Sequence, residues 1–237
     1  LAWSIAAVLY LNFGVKTRAA IAVAVLAGYG ALSALVAAPD AAGAGPLTFE
    51  GNLAGYIDRQ FLPGKLIYGS FDPEGLLSTV PAVVTAMLGM FTGEFVRRGD
   101  IRGGRKTLWM AAAAAALLAA GLAFSGVLPV NKKLWSSTFV CVVGAYSLGM
   151  FALFYYLIDV RGWRRWTLFF RVVGLNSITI YLAQRIVGFG RISDFFLGGI
   201  ASKCPEAVAA VISSAGYVAV CWLFLYFLYR KNVFLKV

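Results

Sequence analysis

The stretch TLWMAAAAAALLAAGLAFSGV, residues 107–127, is 21 residues long and carries no charge. A helix rising 1.5 Å per residue needs about 20 apolar residues to cross a bilayer core of about 30 Å. The run AAAAAALLAA is strong helix former. The flanks are of the opposite kind: RRGDIRGGRK at 97–106 precedes it and LPVNKKLW at 128–135 follows it. One uninterrupted apolar segment between two polar, basic connections reads as a membrane span, and the pattern recurs on both sides of it.

Working outward, further full spans are expected at about 19–37, 74–96, 136–158, 166–187 and 206–228, with a partial helix in the first 13 residues, LAWSIAAVLYLNF. The expected fold is therefore all-α: a polytopic membrane helix bundle of six full transmembrane helices plus one partial N-terminal helix. It forms a single transmembrane domain over 1–237, with a loop at 38–73. In that loop Leu53, Tyr56, Ile57 and Phe61 recur at helical spacing around Asp58 and Arg59, the pattern of a short interfacial helix. A start inside a helix, at Leu1, reads as the C-terminal part of a longer chain.

Composition agrees. Of 237 residues 61% are hydrophobic and only 13% charged, with mean hydropathy +0.81; a soluble domain carries about 25% charged residues. The net charge of +11 does not point to nucleic acid, because the charges sit in short clusters between the apolar runs. The three cysteines form no CxxC pair, and with no histidine in the chain, His-based metal sites and Ser–His or Cys–His pairs are excluded within it. No metal is expected.

The basic residues divide unevenly between alternate loops. Lys16, Arg18, Arg97, Arg98, Arg102, Arg105, Lys106, Arg161, Arg164, Arg165, Arg230, Lys231 and Lys236 fall in one set. Arg59, Lys65, Lys132, Lys133, Arg185, Arg191 and Lys203 fall in the other. The positive-inside rule makes the first set, and the C-terminus, cytoplasmic. The acids Asp40, Glu50, Asp58, Asp72, Glu74, Asp194 and Glu206 then lie outside.

Three motifs stand out against this frame. In YGSFDPEGLLSTVPAVV, residues 68–84, Asp72, Pro73 and Glu74 have a capping explanation at a helix start. Behind them Ser78, Ala82, Thr85, Gly89 and Thr92 share a stripe, and Gly89–Gly93 is a GxxxG, a close-packing face. In PVNKKLWSS, Asn131, Lys132 and Lys133 sit at a membrane mouth beside Trp135. This reads either as an interfacial tryptophan with snorkelling lysines or as a donor cluster facing a polar ligand. In the span 166–187, Ser177, Tyr181 and Gln184 fall in one arc bordered by Asn176, and Arg171 is also in the span. Polar groups at that depth either bond between helices or line a ligand path.

In order along the chain, YGSFDPEGLLSTVPAVVTAMLG, LPVNKKLWSSTFV, LIDVRGW, GLNSITIYL and LYRKNVFLKV make the sequence resemble the heparan-α-glucosaminide N-acetyltransferase family of transmembrane acyltransferases. It is most similar to the bacterial branch, whose members have been labelled N-acetylglucosamine-related transporters. The resemblance runs from about residue 68 to the C-terminus and more loosely through 1–37. It implies an enzyme moving an acetyl group from cytosolic acetyl-CoA to the amine of a glucosamine-type sugar or glycan across the membrane, the inner membrane in a bacterium. The alternative it leaves is a transporter of N-acetylglucosamine or related amino sugars. A histidine central to transfer in the family lies upstream and has no counterpart here. On that basis Asp72, Glu74 and Asn176 are the catalytic candidates, and Asn131, Lys132, Trp135, Ser177 and Tyr181 the substrate-binding ones. Arg97, Arg98, Arg161, Arg164, Arg165 and Arg230 are placed to attract the donor's phosphates. Membrane lipid and the sugar acceptor are the expected partners, with a homodimer through the packing stripe.

Overall fold

The computed structural model describes residues 1–235; Lys236, counted above among the basic residues, lies outside them. Among the described residues the regular elements are all helices, joined by turns and loops, apart from one isolated antiparallel pairing of Ala37 with Asn52. It divides into two compact units, Leu1–Gly162 and a second beginning at Trp163.

The first unit holds α1 (Ala2–Asn12), α2 (Val15–Leu35), α3 (Leu53–Phe61), α4 (Thr79–Arg97), α5 (Gly103–Ala123) and α6 (Ser137–Tyr155), which runs on as a π-helical turn to Val160. The second holds α7 (Thr167–Leu175), α8 (Ser177–Ile186), α9 (Phe189–Ala201) and α10 (Glu206–Arg230). Among the described residues five helices are long and apolar enough to cross a membrane: α2, α4, α5, α6 with its π-turn, and α10. That is one fewer than the six full spans expected.

The missing span is 166–187. It breaks at Asn176, whose φ of −125° and ψ of 25° leave the helical region. The Asn176 N–H bonds back to Val173 O (3.1 Å), closing α7, and its carbonyl accepts from Ile180 N–H (3.0 Å), opening α8. Either piece alone, of 9 or 10 residues, covers about half a bilayer core. A second difference is at 188–205, the connection left between the spans expected at 166–187 and 206–228. Thirteen of these residues form α9, whose buried face carries Phe189, Ser193 and Ala201. The helix packs so closely on α10 that a methyl group added at Gly216 would run into Leu197 and Ser193.

In the first unit Ala6, Ala22, Val83, Val84, Met87 and Val140 form a core in which α1, α2 and α6 pack on α4. Pro81 sits in the first turn of α4, where its missing N–H removes no intrahelical hydrogen bond. The GxxxG face of α4 is bare: Cβ atoms added at Gly89 or Gly93 would meet nothing within 4 Å. The close packing occurs at Gly121 and Gly144 instead, where α5, α6 and α4 leave no room for a methyl.

Candidate functional site

Two loops meet at one end of the first unit, and buried polar groups position both. Asn52, 3% exposed, caps α3 by accepting Gly55 N–H (2.6 Å) and donates to Thr48 O (3.1 Å) and Phe49 O (2.6 Å). Its place just before the helically spaced run was a capping signal legible in the sequence. One turn further, Asp58 is 0% exposed and accepts the N–H groups of Asp72 (3.2 Å) and Leu76 (3.0 Å). Arg59 beside it grips both carboxylate oxygens of Asp40 (2.7 and 2.8 Å) and donates to Ser70 O.

These contacts overturn the capping explanation of DPEG. Helix α4 begins at Thr79, not Glu74, and Asp72 is not its cap. Asp72 opens a tight turn: its carbonyl accepts Gly75 N–H (3.1 Å) and its carboxylate accepts Glu74 N–H (2.9 Å). The reason is Asp58. Its carboxylate takes two backbone donors of the segment and occupies the space where a Gly75 side chain would stand. Gly75, the one residue of the motif that capping leaves unexplained, is therefore the one its geometry requires. Glu74 stays exposed.

Burial pushes the Asp58 carboxyl above its usual range. The two backbone donors and Arg59 only partly oppose this, while Asp72 adds to it. A raised folded-state value favours the neutral acid, so this contribution to stability is complete below the ordinary carboxylate value near ~4 and is lost as pH rises through the raised one. We expect protease cleavage within 38–78 to accelerate as pH rises out of the acid range, and this dependence to vanish in Asp58→Asn. Asp40 works in the opposite direction, because its hydrogen bond to Arg59 lowers its value; a loop most resistant at neutral pH would show that Asp58 does not dominate.

In the second loop Asn131 Oδ1 accepts from Lys133 N–H (2.8 Å) and Leu134 N–H (3.4 Å), and Asn131 N–H donates to Ser136 Oγ (3.0 Å). Trp135 takes a left-handed φ of 49° and donates its indole N–H to Thr85 Oγ1 on α4 (3.2 Å), and Tyr29 on α2 donates to Leu134 O. Lys132 is exposed. Lys133, not among the candidates, joins the loops: its ammonium lies 4.5 Å from the Tyr68 ring centroid and 5.0 Å from that of Phe49. Both rings stack on Phe71, the residue before Asp72. The DPEG and NKKLW segments are thus brought together through Phe49, Tyr68 and Phe71, none of them a candidate site residue.

At the opposite end Arg18, 4% exposed, forms an ion pair with Glu94 (2.8 Å) between the rings of Tyr10 and Phe91. Lys106 donates to the α4 carbonyl of Val96 (2.6 Å). Both basic residues entered the sequence reading only as topology charges, and Glu94, an acid inside a span, was the overlooked signal. Arg97 is exposed, Arg98 is paired with Asp100 (2.6 Å), and Arg161 lies 5.5 Å over Tyr156. Between the two ends, α4, α5 and α6 enclose an apolar cleft of about 780 Å³, lined among others by Thr85, Gly89, Gly93, Trp109 and Phe151.

The second unit holds Asn176, Ser177, Tyr181, Arg164, Arg165 and Arg230. The expected polar arc is divided there. Asn176 is 1% exposed and shares the inward face of α8 with Ala183, whereas Ser177, Tyr181 and Gln184 are on the exposed face. Asn176 Nδ2 donates to Val172 O (3.4 Å), while its Oδ1 and the Thr179 hydroxyl are buried without a partner among the described residues. Arg171 is exposed and lies over the Tyr229 ring.

Together these features define an integral, multi-pass helical membrane protein with a built polar loop cluster at one end of its first unit. No family model matches the chain. It is similar to heparan-alpha-glucosaminide N-acetyltransferase of Homo sapiens, 29% identical over 208 residues, and to that of Mus musculus, 27% identical over 205 residues. Each match covers 79% of this chain and 30% of the relative, so the chain spans about a third of the length of these proteins. This similarity supports the family resemblance carried by its motifs.

Proposed function

We propose that this chain is part of a membrane acyltransferase that carries an acetyl group from acetyl-CoA to the amine of a glucosamine-type sugar on the other side of the bilayer. The observation that carries this reading is the cleft. Its volume is in the range of small-molecule sites, about 300–1,000 Å³. Its α4 lining runs from Thr85, beneath Trp135, to Phe95, next to the basic turn at 97–106. A donor with a phosphate-bearing head and a long neutral arm suits that distribution: arginines at one mouth, an apolar passage, and the polar loop cluster at the other. Arg97, Arg98 and Arg161, in the turns at the basic end of the first unit, are its candidates for the donor's phosphates. The basic side is the cytoplasmic one in this reading.

At the loop end, the sugar ammonium must lose a proton before its nitrogen attacks the acetyl carbon and the carbon–sulfur bond breaks. Glu74, exposed and free of the turn-making duty of Asp72, is the acid we assign to that proton. Asn131 and Trp135 shape the loop that receives the sugar, with Lys132 as an exposed donor. Glu74→Gln is expected to slow acetyl transfer by about 10²-fold, and unchanged kinetics would remove Glu74 from this role.

A transporter is the second reading, favoured by the α7–α8 break, since interrupted helices with free backbone and buried polar groups line transporter sites. Full-length protein in vesicles separates the two, with labelled acetyl-CoA on the basic side and glucosamine on the other. Appearance of N-acetylated sugar supports the enzyme, and passage of unmodified sugar without acetylation overturns it.

A further inference from the structure

The Phe49–Phe71–Tyr68 cluster has the form of a site rather than of core. Phe49 and Tyr68 are 44% and 49% exposed, and both stack on the buried Phe71, at centroid distances of 5.4 and 5.2 Å and interplanar angles of 3° and 18°. Their positions are set from below and independently of Lys133. Asn52 holds the Phe49 carbonyl, Phe71 O accepts Tyr68 N–H (3.2 Å), and the Asp72 carboxylate accepts Ile67 N–H (3.4 Å). The exposed ring faces carry negative potential, and a cation rests there: the Lys133 ammonium, 4.5 and 5.0 Å from two centroids. Among the described residues Lys133 forms no ion pair. An exposed contact of this kind favours its occupant by a factor of only about 2–5, so the lysine leaves readily and another cation takes its place.

We propose that Phe49, Tyr68 and Phe71 form an ammonium-binding cage, occupied by Lys133 at rest, into which the cationic amine of the acceptor sugar exchanges. This rests on the acyltransferase reading for the identity of the ligand, and it makes Lys133 a built-in competitor that holds down the cage's affinity for the free amine. The acetylated product, having lost its charge, no longer displaces the lysine and is released. The cage is next in sequence to Asp72 and Glu74, the acids available to the same amine.

The test is binding by the full-length protein in detergent, with no acetyl donor present, using glucosamine, N-acetylglucosamine and tetramethylammonium as probes. Lys133→Met is expected to tighten glucosamine and tetramethylammonium by about 2–5-fold and leave N-acetylglucosamine unchanged. Tyr68→Leu, which keeps bulk but removes the ring, is expected to weaken the two cations by a similar factor. If Lys133→Met leaves cation binding unchanged, weakens it, or alters both sugars equally, the cage is not a ligand site and Lys133 only ties the loops together. A fall in protease resistance of the 38–78 loop without selective tightening would show the same. Because no transfer is measured, this result stands whether or not the vesicle experiment detects acetylation.

Discussion

Gly75→Ala is expected to dislodge the turn between α3 and α4 and to destabilise the first unit by roughly 1–3 kcal/mol, the usual cost of forcing volume into a filled site. The added methyl falls on the Asp58 carboxylate, which cannot retreat without abandoning the Asp72 and Leu76 N–H groups, at 3.2 and 3.0 Å. Each buried donor left unpaired costs about 1–3 kcal/mol, so the turn and not the acid should move. Thermal unfolding in detergent, combined with proteolysis between residues 38 and 78, reads both effects. The double variant Gly75→Ala, Asp58→Ala separates clash from burial: the methyl then costs little beyond what the loss of Asp58 already costs. Additive effects would mean that the two residues do not share the site.

Glu94→Leu is expected to cost roughly 3 kcal/mol, the low end for breaking a buried pair, because it strands the Arg18 guanidinium. Arg18 is 5% exposed at the side chain and Glu94 29%, so the arginine suffers the greater loss, while solvent near Glu94 moderates the total. The Tyr10 and Phe91 faces remain as partners, worth about 0.5–2 kcal/mol on cation–π scales. Arg18→Met combined with Glu94→Leu should recover most of the stability, since a well-packed apolar pair removes both desolvation costs. Equal melting temperatures for the single variant and the parent would show that the pair contributes nothing.

The spans were legible wherever length and composition decide the matter. The run at 107–127 is α5 and the runs at 136–158 and 206–228 are α6 and α10 to within a few residues. What composition does not encode was missed. The apolar run at 166–187 continues on both sides of Asn176, and the interruption depends on the backbone angles of that one residue. Helix α9 reads as loop because its glycines, Arg191 and Asp194 mask a face of Phe189, Ser193 and Ala201 that recurs every four residues or so. In the loops, DPEG looks like a helix start because every local rule is met. It is a turn because Asp58, 14 residues before Asp72 in the chain, claims its donors, and such pairings are invisible to periodicity. The GxxxG of α4 shows the converse: the pattern is present, but among the described residues no helix fills it.

The break at Asn176 has a mechanical meaning. A continuous helix transmits torsion along its length, so a rotation at one end turns every side chain on it. Here the hydrogen-bond ladder is cut, and α7 and α8 are joined through one residue. The exposed face of α8 with Ser177 and Tyr181 can therefore swivel while α7 stays stacked on α10 through Phe169 and Trp222. Backbone hydrogen exchange should register this as two segments with separate protection, the faster beginning at the Asn176 joint.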